Sequence, residues 1–471
     1  MIASRLSNTA NSEVTPTPVV ATRGSAATGT VRDRGMPLLS AQLITAPTTP
    51  ALVSSAARWV TFTWLMHPRM AGWPRRVQPG AYSEPMLVER MRPYTSTIFA
   101  EMSALALRTG AINLGQGFPD TDGPPSLLAD AAANITGGIN QYPPGIGVPE
   151  LRTAVAEHQR RFYDLPVDPA DVLVTTGATE AIAAAVLAFC EPGDEVVTFE
   201  PYYDSYAATI ALANAVLRPV QLRPPAFAFD PDELRAAFSA RTKVVLVNTP
   251  HNPTGAVLDR AQLTLIGELA AERGAVIVTD EVYEHMVFDG REHVPMATLP
   301  GMAERTVTIS SAGKTFSVTG WKVGWVHGPG ELVAAVRAAK QFLTYVSGAP
   351  FQPAIATALA LPDAFYAGLA TDLQAKRDLL CAGLEAAGLA VFKPAGTYFV
   401  ITDVTPLGFA DGAELCWSLP ERIGVAAVPV SVFCVDPELG RALVRFAFCK
   451  RDEVLAEAAT RLAGLSATVR A

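Results

Sequence analysis

From residue 86 onward, short β-branched runs alternate with alanine-rich stretches whose apolar positions recur at helical spacing. The pattern predicts strands at 171–176, 195–200, 242–248, 275–279, 306–310 and 323–327. Between them it predicts helices at 179–190, 203–214 and 259–273. Such alternation implies an α/β fold with a mostly parallel central sheet flanked by helices. After residue 350 the order changes: a long helical stretch over 351–387 precedes strands around 392–403, 425–433 and 444–448, and a last helix starts near 451. This reads as a smaller α+β domain. The expected boundaries are an N-terminal arm with part of the small domain at 86–136, a large domain at 137–345, and the small C-terminal domain at 346–471.

Residues 1–85 differ from the rest. They are rich in Thr, Ser, Ala and Pro, lack sustained periodicity, and hold eight arginines and no lysine against three acids. Their composition predicts a disordered extension. Organellar transit peptides share that make-up, as does translated upstream sequence, and Met86 and Met91 are alternative starts. The whole chain of 471 residues is 49% hydrophobic and carries a formal charge of −8, so it has the material for a large core and no positive field to hold nucleic acid. Five scattered cysteines without a CxxC pair argue against a disulfide framework or zinc site, and no metal site is expected. The apolar run at 51–66 is interrupted by Arg58 and by Ser and Thr, too short and too polar for a membrane span. A cytoplasmic protein is expected.

Ligands of open α/β sheets bind beyond the carboxyl ends of the strands. Polar motifs follow each predicted strand. Thr-Thr-Gly-Ala-Thr-Glu-Ala (175–181) opens a helix whose N-terminal N–H groups suit a phosphate, although an ordinary turn at Gly177 has the same sequence. Asn252 sits in His-Asn-Pro-Thr-Gly (251–255), which also suits a simple turn. Asp280 ends an apolar strand, where an unpaired carboxylate is expensive to bury, so a cation is expected to meet it. Lys314 and Lys322 flank a Ser/Thr/Gly-rich loop: one lysine suits bonding to a carbonyl group, the other neutralising phosphate.

These motifs, with Asn113-Leu-Gly-Gln-Gly-Phe-Pro-Asp (113–120), Asn-Gln-Tyr (140–142), Glu-Val-Tyr-Glu-His (281–285) and Arg445, resemble the class I/II aminotransferases of fold type I, which use pyridoxal 5′-phosphate (PLP). The resemblance implies that Lys314 bonds the cofactor aldehyde and then acts as base, that Asp280 pairs with the ring nitrogen, and that Tyr283 and Asn252 hydrogen-bond its phenolic oxygen. It assigns the phosphate to Ala178, Thr179, Ser311 and Lys322, and ring stacking to Tyr203. It assigns the substrate carboxylate to Arg445 and Gly117, with Asn252, Phe99 and Tyr142 lining the pocket, Tyr142 from a neighbouring subunit. A buried structural role remains the alternative for Arg445 and Phe99.

Within the family, the motifs look like the branch holding kynurenine and glutamine transaminases and N-succinyldiaminopimelate aminotransferases. The expected partners are therefore an amino acid, with glutamate as donor, and a 2-oxo acid, in a homodimer with shared sites. N-succinyl-diaminopimelate, of lysine and diaminopimelate biosynthesis, is the preferred substrate. Kynurenine, glutamine or methionine transamination and cysteine-S-conjugate β-lyase chemistry are the alternatives. Position 179 is Thr where many relatives carry another side chain, and the extension has no counterpart in the pattern.

Overall fold

The computed structural model describes residues 87–465. The expected disordered extension at 1–85 lies outside them, as does Met86. Residues 1–79 and 80–471 separate into two units, and the architecture that follows belongs to the second.

A helix at Ile98–Thr109, capped by Thr97 and ended by Gly110 at φ 66°, leads into the short strand β1 (Ile112–Asn113). The strands that follow are β2 (Val172–Thr175), β3 (Glu195–Glu200), β4 (Val216–Gln221), β5 (Thr242–Asn248), β6 (Val276–Asp280), β7 (Thr306–Ser311) and β8 (Gly324–His327). These seven form one sheet in the order β2-β8-β7-β6-β5-β3-β4. Only β8 runs against its neighbours, so the sheet is mostly parallel, as the alternation of elements predicts.

Because successive side chains in a strand point to opposite faces, Val244, Leu246 and Val278 pack on one side of the sheet and Val245, Val247 and Ile277 on the other. The first face is covered by helices Gly177–Phe189, Asp204–Leu212 and Gly330–Lys340. On the second, Leu263, Ile266 and Leu269 of helix Arg260–Arg273 join the core that continues into the C-terminal strands. Those are β9 (Ala390–Phe392), β10 (Phe399–Asp403), β11 (Val425–Ala426), β12 (Val428–Pro429) and β13 (Leu443–Ala447). Four of them form an antiparallel sheet in the order β12-β13-β10-β9, and β11 pairs in parallel with β1.

Three differences from the sequence pattern have local causes. Strand β4 was not expected because it contains Pro219; it lies at the sheet edge, where a missing N–H is tolerated. The helical stretch over 351–387 is two helices, Phe351–Leu359 and Asp363–Ala386, bent by 91° at a break that holds Pro362. The strand expected at 425–433 is instead two dipeptides and a 3-10 turn at Val430–Phe433, since Pro429 brings no donor to extend the ladder. Among the described residues no single helix is long and apolar enough to cross a membrane.

Candidate active site

The carboxyl ends of the parallel strands converge on one cavity. In the β5–β6 register Asn248 lies opposite Asp280, and in the β7–β8 register Ser311 lies opposite Gly324, which also faces Thr175 at the end of β2. The cavity is lined by Phe99, Gly117, Ala178, Thr179, Tyr203, Asn252, Asp280, Tyr283, Ser311, Lys314, Lys322 and Arg445. Tyr142 alone among the expected site residues does not line it within this chain. It is 80% exposed and packs edge-on against Tyr345, with ring centres 5.6 Å apart.

Lys314 sits on the short helix Ala312–Thr315 that follows β7, with Ser311 accepting from the Gly313 N–H as its cap. Its Nζ donates to the Tyr398 hydroxyl at 3.0 Å. Burial pulls the ammonium down to about 8, helped by Lys322 and Arg445 and opposed by Cys449 and Asp280. The shift brings part of the side chain into the free-amine form near neutral pH, roughly a tenth at pH 7, and that form attacks a carbonyl carbon.

Asp280 is 4% exposed. Its carboxylate accepts from the Tyr206 hydroxyl at 2.6 Å and from the Val282 N–H at 3.3 Å. Burial raises its pKa to about 6 against these two donors and the nearby charge of Lys314. The expected cation does not meet it directly: among the described residues its hydrogen-bond donors are neutral, so an incoming protonated nitrogen would find an unmatched charge. Asn248 Nδ2 ties the Asp280 carbonyl at 2.8 Å while its Oδ1 accepts from the Asn252 N–H at 2.7 Å, fixing the loop between β5 and its following turn.

At the other end of the cavity, Gly177 with φ 75° starts a helix two residues earlier than the pattern predicts. This brings Ala178 and Thr179 into the first turn, where their N–H groups are free of intrahelical partners. A Cβ on Gly177 would lie 3.2 Å from Lys322 Nζ, so the ammonium stands directly beside the helix start. Helix N-terminus, Lys322 and the Ser311 hydroxyl together make an anion-binding corner. The Ser311 hydroxyl is also committed to the Val323 carbonyl, at 3.2 Å.

Arg445, in the middle of β13, is 1% exposed. Its guanidinium donates to Asn252 Oδ1 at 3.1 Å and to the Gly115 carbonyl at 2.8 Å. The rings of Phe99, Phe399 and Phe433 surround it, with Phe399 nearest at 4.1 Å. Nε is buried and without a partner among the described residues. Burial lowers its pKa to about 10, and no carboxylate among the described residues hydrogen-bonds it. A desolvated cation with aromatic walls and donors to spare favours a planar carboxylate.

Among the residues absent from the sequence expectations, two hydroxyls hold expected charged groups directly. Tyr206, which holds Asp280, lies on helix Asp204–Leu212 three positions after its N-cap Tyr203, and helical spacing from a ring-stacking candidate would have pointed to it. Tyr398, which holds Lys314, precedes β10, and nothing in the sequence connects it to a lysine 84 positions away.

Residues 109–462 match the family model of class I and II aminotransferases. The chain belongs to that family. It is 56% identical over 393 residues to a probable N-succinyldiaminopimelate aminotransferase of Mycobacterium tuberculosis, covering 81% of this chain and 99% of that one. A methionine aminotransferase of Escherichia coli is 41% identical, over 78% of this chain and 95% of its own length. The solved structure of N-succinyldiaminopimelate aminotransferase from Mycobacterium tuberculosis superposes with a TM-score of 0.79, covering 80% of this chain and all of the other. The fold expected from the sequence is therefore that of the family, fold type I.

Proposed function

We propose that this aminotransferase binds PLP and moves the amino group of glutamate to and from a 2-oxo acid, with N-succinyl-diaminopimelate as its preferred amino partner. The observation that supports the substrate is the 56% identity that runs through 99% of the M. tuberculosis relative's length. The chemistry rests on the site itself. The residues fit the cofactor: Asp280 has no charged hydrogen-bond donor among the described residues, Gly177 and Lys322 frame an anion corner, and Lys314 is an amine of lowered pKa in the same cavity.

Bound PLP would supply an aldehyde for covalent capture of amino groups and a ring that withdraws electrons from the substrate Cα. In this reading, Asp280 keeps the ring nitrogen protonated, Tyr283 and Asn252 bond its phenolic oxygen, and Tyr203 covers one face. Ala178, Thr179, Ser311 and Lys322 hold the phosphate. Arg445 and the Gly117 N–H orient the substrate α-carboxylate, and Phe99 walls the pocket. The Lys314 amine would act as the base that takes the proton from the substrate Cα and holds it for return.

The same reading makes the enzyme a cytoplasmic homodimer with Tyr142 serving the neighbouring site, and divides the chain at residues 136 and 345. A donor screen with 2-oxoglutarate as acceptor, covering succinylated and free diaminopimelate, kynurenine, glutamine and methionine, tests the substrate. Succinylated diaminopimelate is expected to give the highest kcat/KM. The 41% identity to the E. coli enzyme makes methionine the second candidate, and a higher kcat/KM for methionine would overturn the preferred substrate. Release of a β-leaving group without any 2-oxo acid would mark lyase chemistry instead.

A further inference from the structure

We propose that Tyr398 is the positioning residue for the reactive lysine, holding its amine by the phenol oxygen while its own proton is anchored on the backbone of the carboxylate-binding loop. The inference rests on the reading of Lys314 as the base and extends it to a residue that reading does not use.

The direction of each hydrogen bond follows from what the partners can do. The Tyr398 hydroxyl lies 2.7 Å from the Gly117 carbonyl, which can only accept, so the single phenolic proton points there. The Lys314 Nζ, 3.0 Å from the same oxygen, must then be the donor, and Tyr398 accepts. An acceptor held in this way fixes the amine at one place and favours its protonated form. The ring cannot swing away: Tyr398 is 1% exposed and packed edge-on against Tyr283 at 5.3 Å and Phe399 at 4.8 Å between ring centres.

Gly117 is the other half of the device. A Cβ there would come within 2.5 Å of Phe399 Cζ, so only glycine lets this loop approach the site. In the proposed function its N–H faces the substrate carboxylate, and its carbonyl is the one that orients Tyr398. Seating the carboxylate therefore bears, through one residue, on where the base sits. Proton transfer is sensitive to displacements of the base well below 1 Å, so Tyr398 acts on turnover rather than on substrate affinity.

The test uses the full chain loaded with pyridoxamine 5′-phosphate, the cofactor form that leaves Lys314 unbonded. Labelling of Lys314 by acetic anhydride, followed by mass spectrometry across pH, reads the protonation midpoint of its amine. In Tyr398→Phe the midpoint is expected to fall by about one pH unit, because the ammonium loses its acceptor. The rising limb of kcat with pH should move down with it, kcat should drop roughly tenfold, and KM should stay within about twofold.

A chain carrying 3,5-difluorotyrosine at position 398 keeps the ring, the hydroxyl and the bond to Gly117 while weakening the oxygen as acceptor. It is expected to give a smaller shift of the same sign, and it substitutes for the phenylalanine variant should that one fold poorly. An unchanged labelling midpoint in both, or a rise in KM with kcat unchanged, would overturn the role of Tyr398. Turnover of Lys314→Ala within tenfold of the parent would instead overturn the reading of Lys314 as base, whatever Tyr398 does.

Discussion

Asp280 and Arg445, both buried, and the partly buried Lys314 are three ionisable groups in one cavity, each without an oppositely charged hydrogen-bond partner among the described residues, and that is costly for stability and useful for binding. Lys314→Ala should remove turnover and the visible absorbance of the lysine-bound cofactor; activity within tenfold of the parent would reject the assignment. Asp280 makes the cost measurable. Its folded pKa, near 6, exceeds the ordinary 3.8, so the native state holds a proton that the unfolded state releases. Its contribution is most favourable below the unfolded pKa and is lost as pH rises through 6. Asp280→Asn should therefore stabilise the cofactor-free protein at pH 8 by on the order of 3 kcal/mol, with most of the gain gone by pH 4. The same variant should lose roughly a hundredfold in turnover, about 3 kcal/mol of barrier, because an amide cannot keep a ring nitrogen protonated. Thermal melts at the two pH values and steady-state rates check both halves. Arg445→Lys should raise the KM of amino acid and oxo acid alike, since an ammonium cannot reproduce the planar fork; unchanged KM values for both would place the carboxylate site elsewhere.

At the scale of elements, the site depends on how closely β8 approaches the helix that starts at Gly177. A Cβ on Gly324 would stand 2.8 Å from the Gly177 carbonyl carbon and 3.0 Å from the Ala178 nitrogen, both backbone atoms that cannot yield cheaply. Gly324→Ala should push the helix start away from Lys322, destabilise the fold by about 1–3 kcal/mol, and speed cofactor loss. A melting temperature and cofactor retention equal to the parent's would show that the anion corner tolerates a wider opening. The strands that carry this geometry were legible because β5, β6 and β7 are rich in β-branched residues with a polar residue at the end: Asn248, Asp280 and Ser311 all fall where the pattern ends. What escaped the pattern has physical causes. Pro219 disguised an edge strand, Pro362 hid a sharp bend within continuous helical spacing, and helix Gly412–Arg422 with its internal Pro420 was not expected at all. Lys314 and Asp280 carried their chemistry in motifs, whereas Tyr398 and Tyr206 act on them through contacts across 84 and 74 positions, which the motifs themselves do not encode.

At the scale of the whole molecule, one expected site residue is left facing outward. Tyr142 is 80% exposed, Tyr345 beside it is 48% exposed, and Phe342 three residues earlier in the chain is 85% exposed. Large rings in one region of the surface are the kind of feature that a second protein surface covers. A two-fold dimer would cover them and carry Tyr142 into the neighbour's cavity, so that each site draws Lys314 from one chain and Tyr142 from the other. That arrangement predicts complementation. Tyr142→Ala and Lys314→Ala should each be severely impaired alone. A mixed dimer of the two holds one site with both residues intact and one with neither. Dissociating and reassociating equal amounts makes half of all dimers mixed, which returns roughly a quarter of the parental activity. Light scattering of the active enzyme should give the mass of two chains. Recovery no greater than the sum of the separate variants, or a fully active Tyr142→Ala, would mean that each site is complete within its own chain.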